Sequence, residues 1–354
     1  GIQLDNPPDT NLRHFHAFVE LTPLDQEIDN LERRRGLAEC IHGQVSLYRW
    51  QRGGEVQQVV VKQMEEGRVE GSRAPLTTPT GSSDSALFFG RVRAHPEDAY
   101  AEIGVLCHLA DLARQGDSCE HIQRLLGCFR ETRPDKTFIW LMTEYCQGGD
   151  VFDRVSSGEQ IPEEEKRRHM SQLLQAVCHM HEHDVGHRDV SLENMVLRAN
   201  ESGGHDCVLV DFGQVVRLRA KDGTPLRYFA EAGKRMYRAP EMHVPRQRKI
   251  QVICPGDGSG GSVTQVTYDR SRCEVLLPPD ASPGRPCFAE PYGYAAAPVD
   301  VFACGVCAFV LSIGKPPWQS ARDCDPTFSF VRRHGVATLL KQWRGSPNAP
   351  AGEE

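Results

Sequence analysis

The run His187-Arg188-Asp189-Val190-Ser191-Leu192-Glu193-Asn194, followed by Asp211-Phe212-Gly213, constrains this chain more than any other feature. It sets an aspartate and an asparagine five positions apart and brings in a second aspartate just downstream. Any one of these residues could be an ordinary turn former. Together they supply one carboxylate able to orient a hydroxyl nucleophile, and an amide plus a second carboxylate able to hold magnesium against phosphates. That is the set that phosphoryl transfer from a nucleotide requires.

Over about residues 36–343 the motifs and their order resemble the eukaryotic protein kinase superfamily, serine/threonine type. The resemblance implies an α+β fold with two lobes, β-rich in the small lobe and mainly helical in the large one. It implies ATP and Mg2+ as cofactors and a protein substrate. Residues 1–35 then form an N-terminal extension, 36–143 the small lobe, 144–343 the large lobe and 344–354 a tail. Two more helices normally complete such a large lobe, so the expectation is that this one is truncated at its C-terminal end.

The resemblance also assigns roles. Lys62 closes the apolar stretch Val59-Val60-Val61, where an ammonium needs anionic partners. It would contact the α and β phosphates and be held by Glu102, with Glu97 as a nearby alternative, while Leu106 and Phe212 pack behind the pair. Asp189 would be the catalytic base, and Asn194 and Asp211 the magnesium ligands. Thr143 matches the gatekeeper before a hinge of Glu144, Tyr145 and Cys146. Asp150 is placed for the ribose hydroxyls, and Glu193 with Asp150 for basic residues of a substrate. Asp300 should hold the backbone of the catalytic loop; the late arginine that usually pairs with Glu241 is missing, so either Arg332 or Arg333 substitutes or Glu241 is solvated. Arg188 would meet a phosphate on the activation segment, where Thr224 and Tyr228 are the candidate acceptors, or Glu231 in its place, unless no such switch exists.

The departures are as informative as the matches. Aligned on Val45, the phosphate hairpin keeps only Gly43 of three glycines, with Ala38 and Cys40 at the others. Side chains there restrict close backbone approach to a ligand. Cys40 is either a reactive thiol facing the phosphates or an inert one. Ser191 stands where serine/threonine kinases usually carry lysine, and Lys234 where they usually carry threonine. Those side chains meet in the family, so Lys234 is expected to replace the missing charge from the opposite loop; a solvated lysine is the bland alternative. Similar variants occur in divergent kinases of apicomplexan parasites. These losses leave a second reading open, a pseudokinase or an interaction scaffold.

Bulk properties narrow the setting. The 354 residues are 39% hydrophobic and carry a formal net charge of −7 with mixed signs, so no basic field implies nucleic acid or an anionic membrane. Thirteen scattered cysteines suggest reduced thiols and a cytoplasmic or nuclear setting, and Cys304-Gly305-Val306-Cys307 reads as buried helix rather than metal site. No stretch reads as a signal peptide or membrane span.

Along the chain, Leu24, Ile28 and Leu31 have helical spacing. Strands are predicted over 37–45, 47–51, 56–63 and 138–143. A Gly/Ser/Thr/Pro-rich mobile insertion is expected over about 64–93, and a helix opened by Pro96-Glu97-Asp98 follows it. Pro162 opens another helix with Met170, Leu173, Leu174 and Val177 on one face. Further helices are predicted over 298–313 and 328–343. A second insertion, about 245–294, has similar halves: Val252-Ile253-Cys254-Pro255 leads to Gly261 as Val275-Leu276-Leu277-Pro278 leads to Gly284. Two related hairpins in a small β module would explain this, as would chance; such a module could make partner contacts.

Overall fold

The computed structural model describes residues 12–24, 30–71 and 97–344. Its N-terminal part is built on one six-stranded sheet in the order β1-β5-β6-β4-β3-β2. The strands are β1 (Thr22–Pro23), β2 (Leu31–Cys40), β3 (Gly43–Arg52), β4 (Glu55–Glu65), β5 (Leu125–Thr132) and β6 (Thr137–Glu144). Period-two alternation divides β4 between two environments. Val59 and Val61 are fully buried against Leu24, Trp50 and Met142, while Val60 and Lys62 face a cleft.

Two expectations change here. Leu31 begins β2 opposite Trp50 instead of extending a helix from Leu24. Both leucines pack into the same apolar cluster, which an extended chain satisfies as well as a helix; Ile28 lies outside the described residues. The predicted strand 37–45 is interrupted at Ile41 and His42, because Cys40 pairs with Gly43 to close a tight hairpin.

β4 runs on through Glu65 into α1 (Glu66–Gly71), so the start of the expected insertion is regular structure; the rest lies outside the described residues. Helix α2 (Ala99–Arg114) begins one residue after Asp98, whose side chain accepts from the N–H groups of Tyr100 and Ala101. Asp98 therefore caps the helix instead of occupying its first turn.

The C-terminal part is mainly helical, with α3 (Val151–Ser156), α4 (Glu163–Glu182), α5 (Ala296–Ile313), α6 (Pro326–His334) and α7 (Val336–Arg344). Short ribbons, β7 (Val185–Gly186) with β10 (Val216–Arg217) and β8 (Met195–Ala199) with β9 (His205–Leu209), carry the loops between them. On α4, Leu173 and Val177 are buried as expected, but Leu174 is half exposed; Gln172 turns inward instead and donates to Asp206. The single helix predicted near the end is two, divided at Gly335, whose N–H closes on the Val331 carbonyl. Helix α5 is long and apolar enough to match a membrane span by composition, contrary to expectation, yet more than half of it is buried in the protein core. Cys304 and Cys307 lie in that buried part, where burial raises both thiols.

The 245–294 insertion folds as a four-stranded antiparallel sheet, β11 (Ile250–Ile253), β12 (Val263–Tyr268), β13 (Ser271–Leu276) and β14 (Pro286–Pro291), in the order β11-β14-β13-β12. Its halves interlock: β11 pairs with β14 of the other half just as β13 pairs with β12. Cys254 N–H donates to Arg285 O as Leu277 N–H donates to Ser262 O, both at 2.9 Å. Gly258 N–H donates to Pro255 O as Ala281 N–H donates to Pro278 O, both at 3.0 Å. The sequence likeness is thus a local two-fold relation between interleaved halves, not two hairpins side by side.

Candidate active site

A cleft of about 570 Å³ lies between the large sheet and the loops of the helical part. Ala38, Cys40, Val45, Val60 and Lys62 line it from above, Asn194, Val196 and Asp211 from below. The Lys62 ammonium meets Glu102 at 2.7 Å, the side chains being 15% and 7% exposed. Burial works against the ammonium, but Glu102 and Asp211 outweigh it and hold the Lys62 pKa above the ordinary lysine value. Glu97 also lines the cleft, close to Gly213, leaving Glu102 as the partner of Lys62. Leu106 and Phe212 pack in one buried cluster.

Asp300, buried on α5, fixes the 187–194 loop from beneath. Its carboxylate accepts from the N–H of His187 at 2.8 Å and of Arg188 at 2.7 Å, with His181 at 2.9 Å. Arg188 and Asp211 both take positive φ, 64° and 66°, a strained backbone for non-glycine residues that such clamps must hold. Asn194 donates to Asp189 O at 2.7 Å and to Asp189 Oδ2 at 3.2 Å.

Lys234 arrives from the opposite segment. Its Nζ lies 2.9 Å from Ser191 Oγ, 3.2 Å from Asn194 Oδ1 and 3.3 Å from Asp189 Oδ2, and its N–H donates to Asp189 Oδ1. Its side chain is 34% exposed, so it is not the fully solvated lysine of the bland reading. Gly233 makes the approach possible: its φ is +72°, and a Cβ there would stand 2.5 Å from the Arg188 carbonyl oxygen. Burial pushes the Asp189 carboxyl above its ordinary pKa, with Asp211 adding to the effect and Lys234 and His187 opposing it.

Sequence reasoning missed two participants. Gln214 accepts from Gly233 N–H at 2.7 Å and donates to Asp189 Oδ2 at 3.4 Å, bridging the two loops; its only signal was its place after Gly213. Tyr294, fully buried, accepts from Arg188 Nη1 at 3.1 Å and donates to Ala230 O at 2.7 Å. Arg188 also donates to Gln214 O and lies 5.2 Å from the Tyr228 ring centroid. Its surroundings are therefore two tyrosines, and Tyr228, 4% exposed, donates its hydroxyl to Arg217 O instead of standing open as a phosphate acceptor. Glu231 does not serve Arg188 either; it pairs with Arg238 and His243.

The remaining expected residues divide. Val45, Thr143, Glu144 and Cys146 line the cleft; Gln123 donates to Thr143 Oγ1 at 2.9 Å, and Glu144 pairs with Arg198 at 3.2 Å. Gly43 sits at the hairpin, where a Cβ would stand 1.9 Å from Gln63 O, so the packing of β3 on β4 already demands glycine. Asp150 is not among the cleft-lining residues: its side chain caps α3 by accepting from Asp153 N–H. Glu193 likewise turns away, toward the Tyr237 hydroxyl. Arg332 pairs with Asp323 and Arg333 bonds Ser329, so neither takes Glu241, whose carboxyl burial pushes up beside Glu274 of β13. Burial also raises the Cys40 thiol, which favours the inert reading.

As a cation site, the donors fit a hard divalent ion. Asn194 and Asp211 offer an amide oxygen and a carboxylate on the cleft wall, the oxygen chemistry that magnesium prefers.

Comparison with known proteins places these features in context. A protein kinase domain model matches residues 93–252. The chain is similar to serine/threonine-protein kinase DCLK3 of Mus musculus, 28% identical over 209 residues, covering 58% of this chain and 19% of that protein. Serine/threonine-protein kinase CHK1 of Saccharomyces cerevisiae is 26% identical over 200 residues, covering 56% and 28%. Serine/threonine-protein kinase grp of Drosophila melanogaster is 27% identical over 252 residues, covering 64% and 39%. The chain thus spans well under half the length of each of these relatives.

Proposed function

We propose that this chain, which belongs to the eukaryotic protein kinase superfamily, is an ATP- and magnesium-dependent serine/threonine kinase that transfers the γ-phosphoryl group of ATP to a protein hydroxyl. The observation that carries the proposal is the convergence of Asp189, Asn194 and Lys234 opposite the Lys62–Glu102 pair. Lys62 positions the α and β phosphates, and Glu102 keeps its ammonium aimed. Asn194 and Asp211 would hold Mg2+, which when bound supplies the charge neutralisation that phosphoryl transfer needs. Asp189 orients the substrate hydroxyl and receives its proton as the oxygen bonds to the γ-phosphorus and ADP leaves. Lys234 supplies the positive charge that Ser191 cannot. The segment Val190-Ser191-Leu192-Glu193 lacks the Ala and Arg pattern of tyrosine kinases, which supports serine or threonine as acceptor.

The alternative, a pseudokinase, is favoured by Ala38 and Cys40 in the phosphate hairpin and by the Lys234 contact to Asn194 Oδ1, which a cation would have to share. Single-turnover transfer from γ-labelled ATP to a mixed serine/threonine peptide pool separates the two. The kinase reading expects Asp189→Asn to slow transfer by at least about a hundredfold, the scale of losing a general base. Equal, background-level labelling by wild type and variant would establish the pseudokinase.

A further inference from the structure

Away from the cleft, two histidines one turn apart at the end of α4 share a carboxylate with the loop that follows α2. His183 Nε2 lies 3.1 Å from Asp117 Oδ2 and His179 Nδ1 lies 3.7 Å from Asp117 Oδ1. The imidazole rings are 4.7 Å apart, and one ligand atom from each of the three residues falls within 4.8 Å of the others. The two imidazoles face different oxygens of the one carboxylate, and four-coordinate zinc with bonds of about 2.0–2.2 Å sets its donors roughly 3.3–3.6 Å apart, so a bound ion draws three ligand atoms that already lie within 4.8 Å of one another closer together. The histidine side chains are 12% and 20% exposed and Asp117 is 56% exposed, so the donors are anchored on the protein side and open to water on the other.

We propose that Asp117, His179 and His183 form a binding site for a divalent transition cation of the zinc class, with water completing the coordination. Two neutral imidazoles and one carboxylate suit zinc better than the oxygen-seeking magnesium of the cleft. The site joins two elements that serve the cleft: α2 carries Glu102, and α4 delivers the chain to His187. A bound ion therefore clips the loop after α2 to the last turn of α4, independently of whether the cleft is catalytic.

Zinc titration of the whole chain by calorimetry, in nucleotide-free buffer without chelator, tests this directly. One ion per chain is expected, and Co2+ in its place should give the visible absorption of a low-symmetry nitrogen–oxygen site. Joint substitution His179→Gln and His183→Gln should weaken binding at least about tenfold, since two imidazole ligands are lost, and Asp117→Asn should weaken it less, since the amide keeps a neutral oxygen donor. Zinc should also slow amide exchange over residues 112–124 in wild type and not in the double variant. Absence of binding overturns the proposal. So does binding that survives both histidine substitutions but is lost on Cys119→Ser with Cys178→Ser, which would put the ion on thiols instead.

Discussion

Replacing Lys234 by methionine isolates one positive charge at nearly constant volume. The ammonium is 3.3 Å from Asp189 Oδ2, where the Coulomb attraction is about 1.3 kcal/mol with full water screening and about 5 kcal/mol at an effective dielectric of 20. With its side chain 34% exposed, the lower end of that range applies. Much of this attraction exists before substrate arrives, so only the part redirected to the transferring phosphoryl group lowers the barrier. A loss of about 1 kcal/mol follows, or a fall in kcat of roughly fivefold, with KM for ATP changing less. The pH profile should move as well. Asp189 must be ionised to act, its pKa is already raised by burial, and Lys234 opposes that rise. Activity therefore falls as pH drops through the raised value, and removing Lys234 should carry this acid limb to still higher pH. Steady-state kinetics of wild type, Lys234→Met and the exchange Lys234→Thr with Ser191→Lys would check the argument, the exchange being expected to recover most of the loss because it returns an ammonium to the same corner. If Lys234→Met stayed within twofold of wild-type kcat with an unmoved acid limb, the charge-replacement reasoning would be wrong.

Tyr294→Phe should lower stability by about 1–3 kcal/mol in urea unfolding, since it leaves Arg188 Nη1 and Ala230 O short of a partner in a buried site. Gly233→Ala should cost about 1–3 kcal/mol and reduce kcat more than stability, because the strained backbone must shift the segment that presents Lys234. Unchanged kinetics would show that the close approach to Arg188 is incidental. Cys40, with its thiol pushed up by burial, should alkylate at neutral pH no faster than a free cysteine, as followed by mass spectrometry with iodoacetamide.

The expected residues fell into two groups for a physical reason. Those identified by contiguous motifs, Asn194, Asp211 and Lys62, line the cleft, with Asp189 bonded to Asn194 beside it, because each sits in a loop or strand whose local geometry dictates its direction. Asp150 and Glu193 carry the right charge at the right position in sequence, but neither lines the cleft: Asp150 caps a helix N-terminus, and Glu193 is held near Tyr237. Glu241 shows the same effect at longer range: its neighbours include β13 of the insertion instead of a late arginine. Leu31 was misread because apolar spacing is compatible with helix or strand until the partner strand is known.

What the amino-acid order determined by itself was the chemistry available: two carboxylates, an amide and two lysines in loops and strands, with the alternation that aims Lys62 at the cleft. Even the exchange of Ser191 and Lys234 was legible, since it needed only residue identities at two motif positions. Only the tertiary structure decided what surrounds Arg188, because Tyr294 comes from beyond the inserted sheet and Tyr228 from the segment before it. It also decided how the insertion's halves interlock, and that Asp117 meets two histidines from α4. Contacts between residues so far apart in sequence depend on where whole elements pack, and no local pattern of residues encodes that.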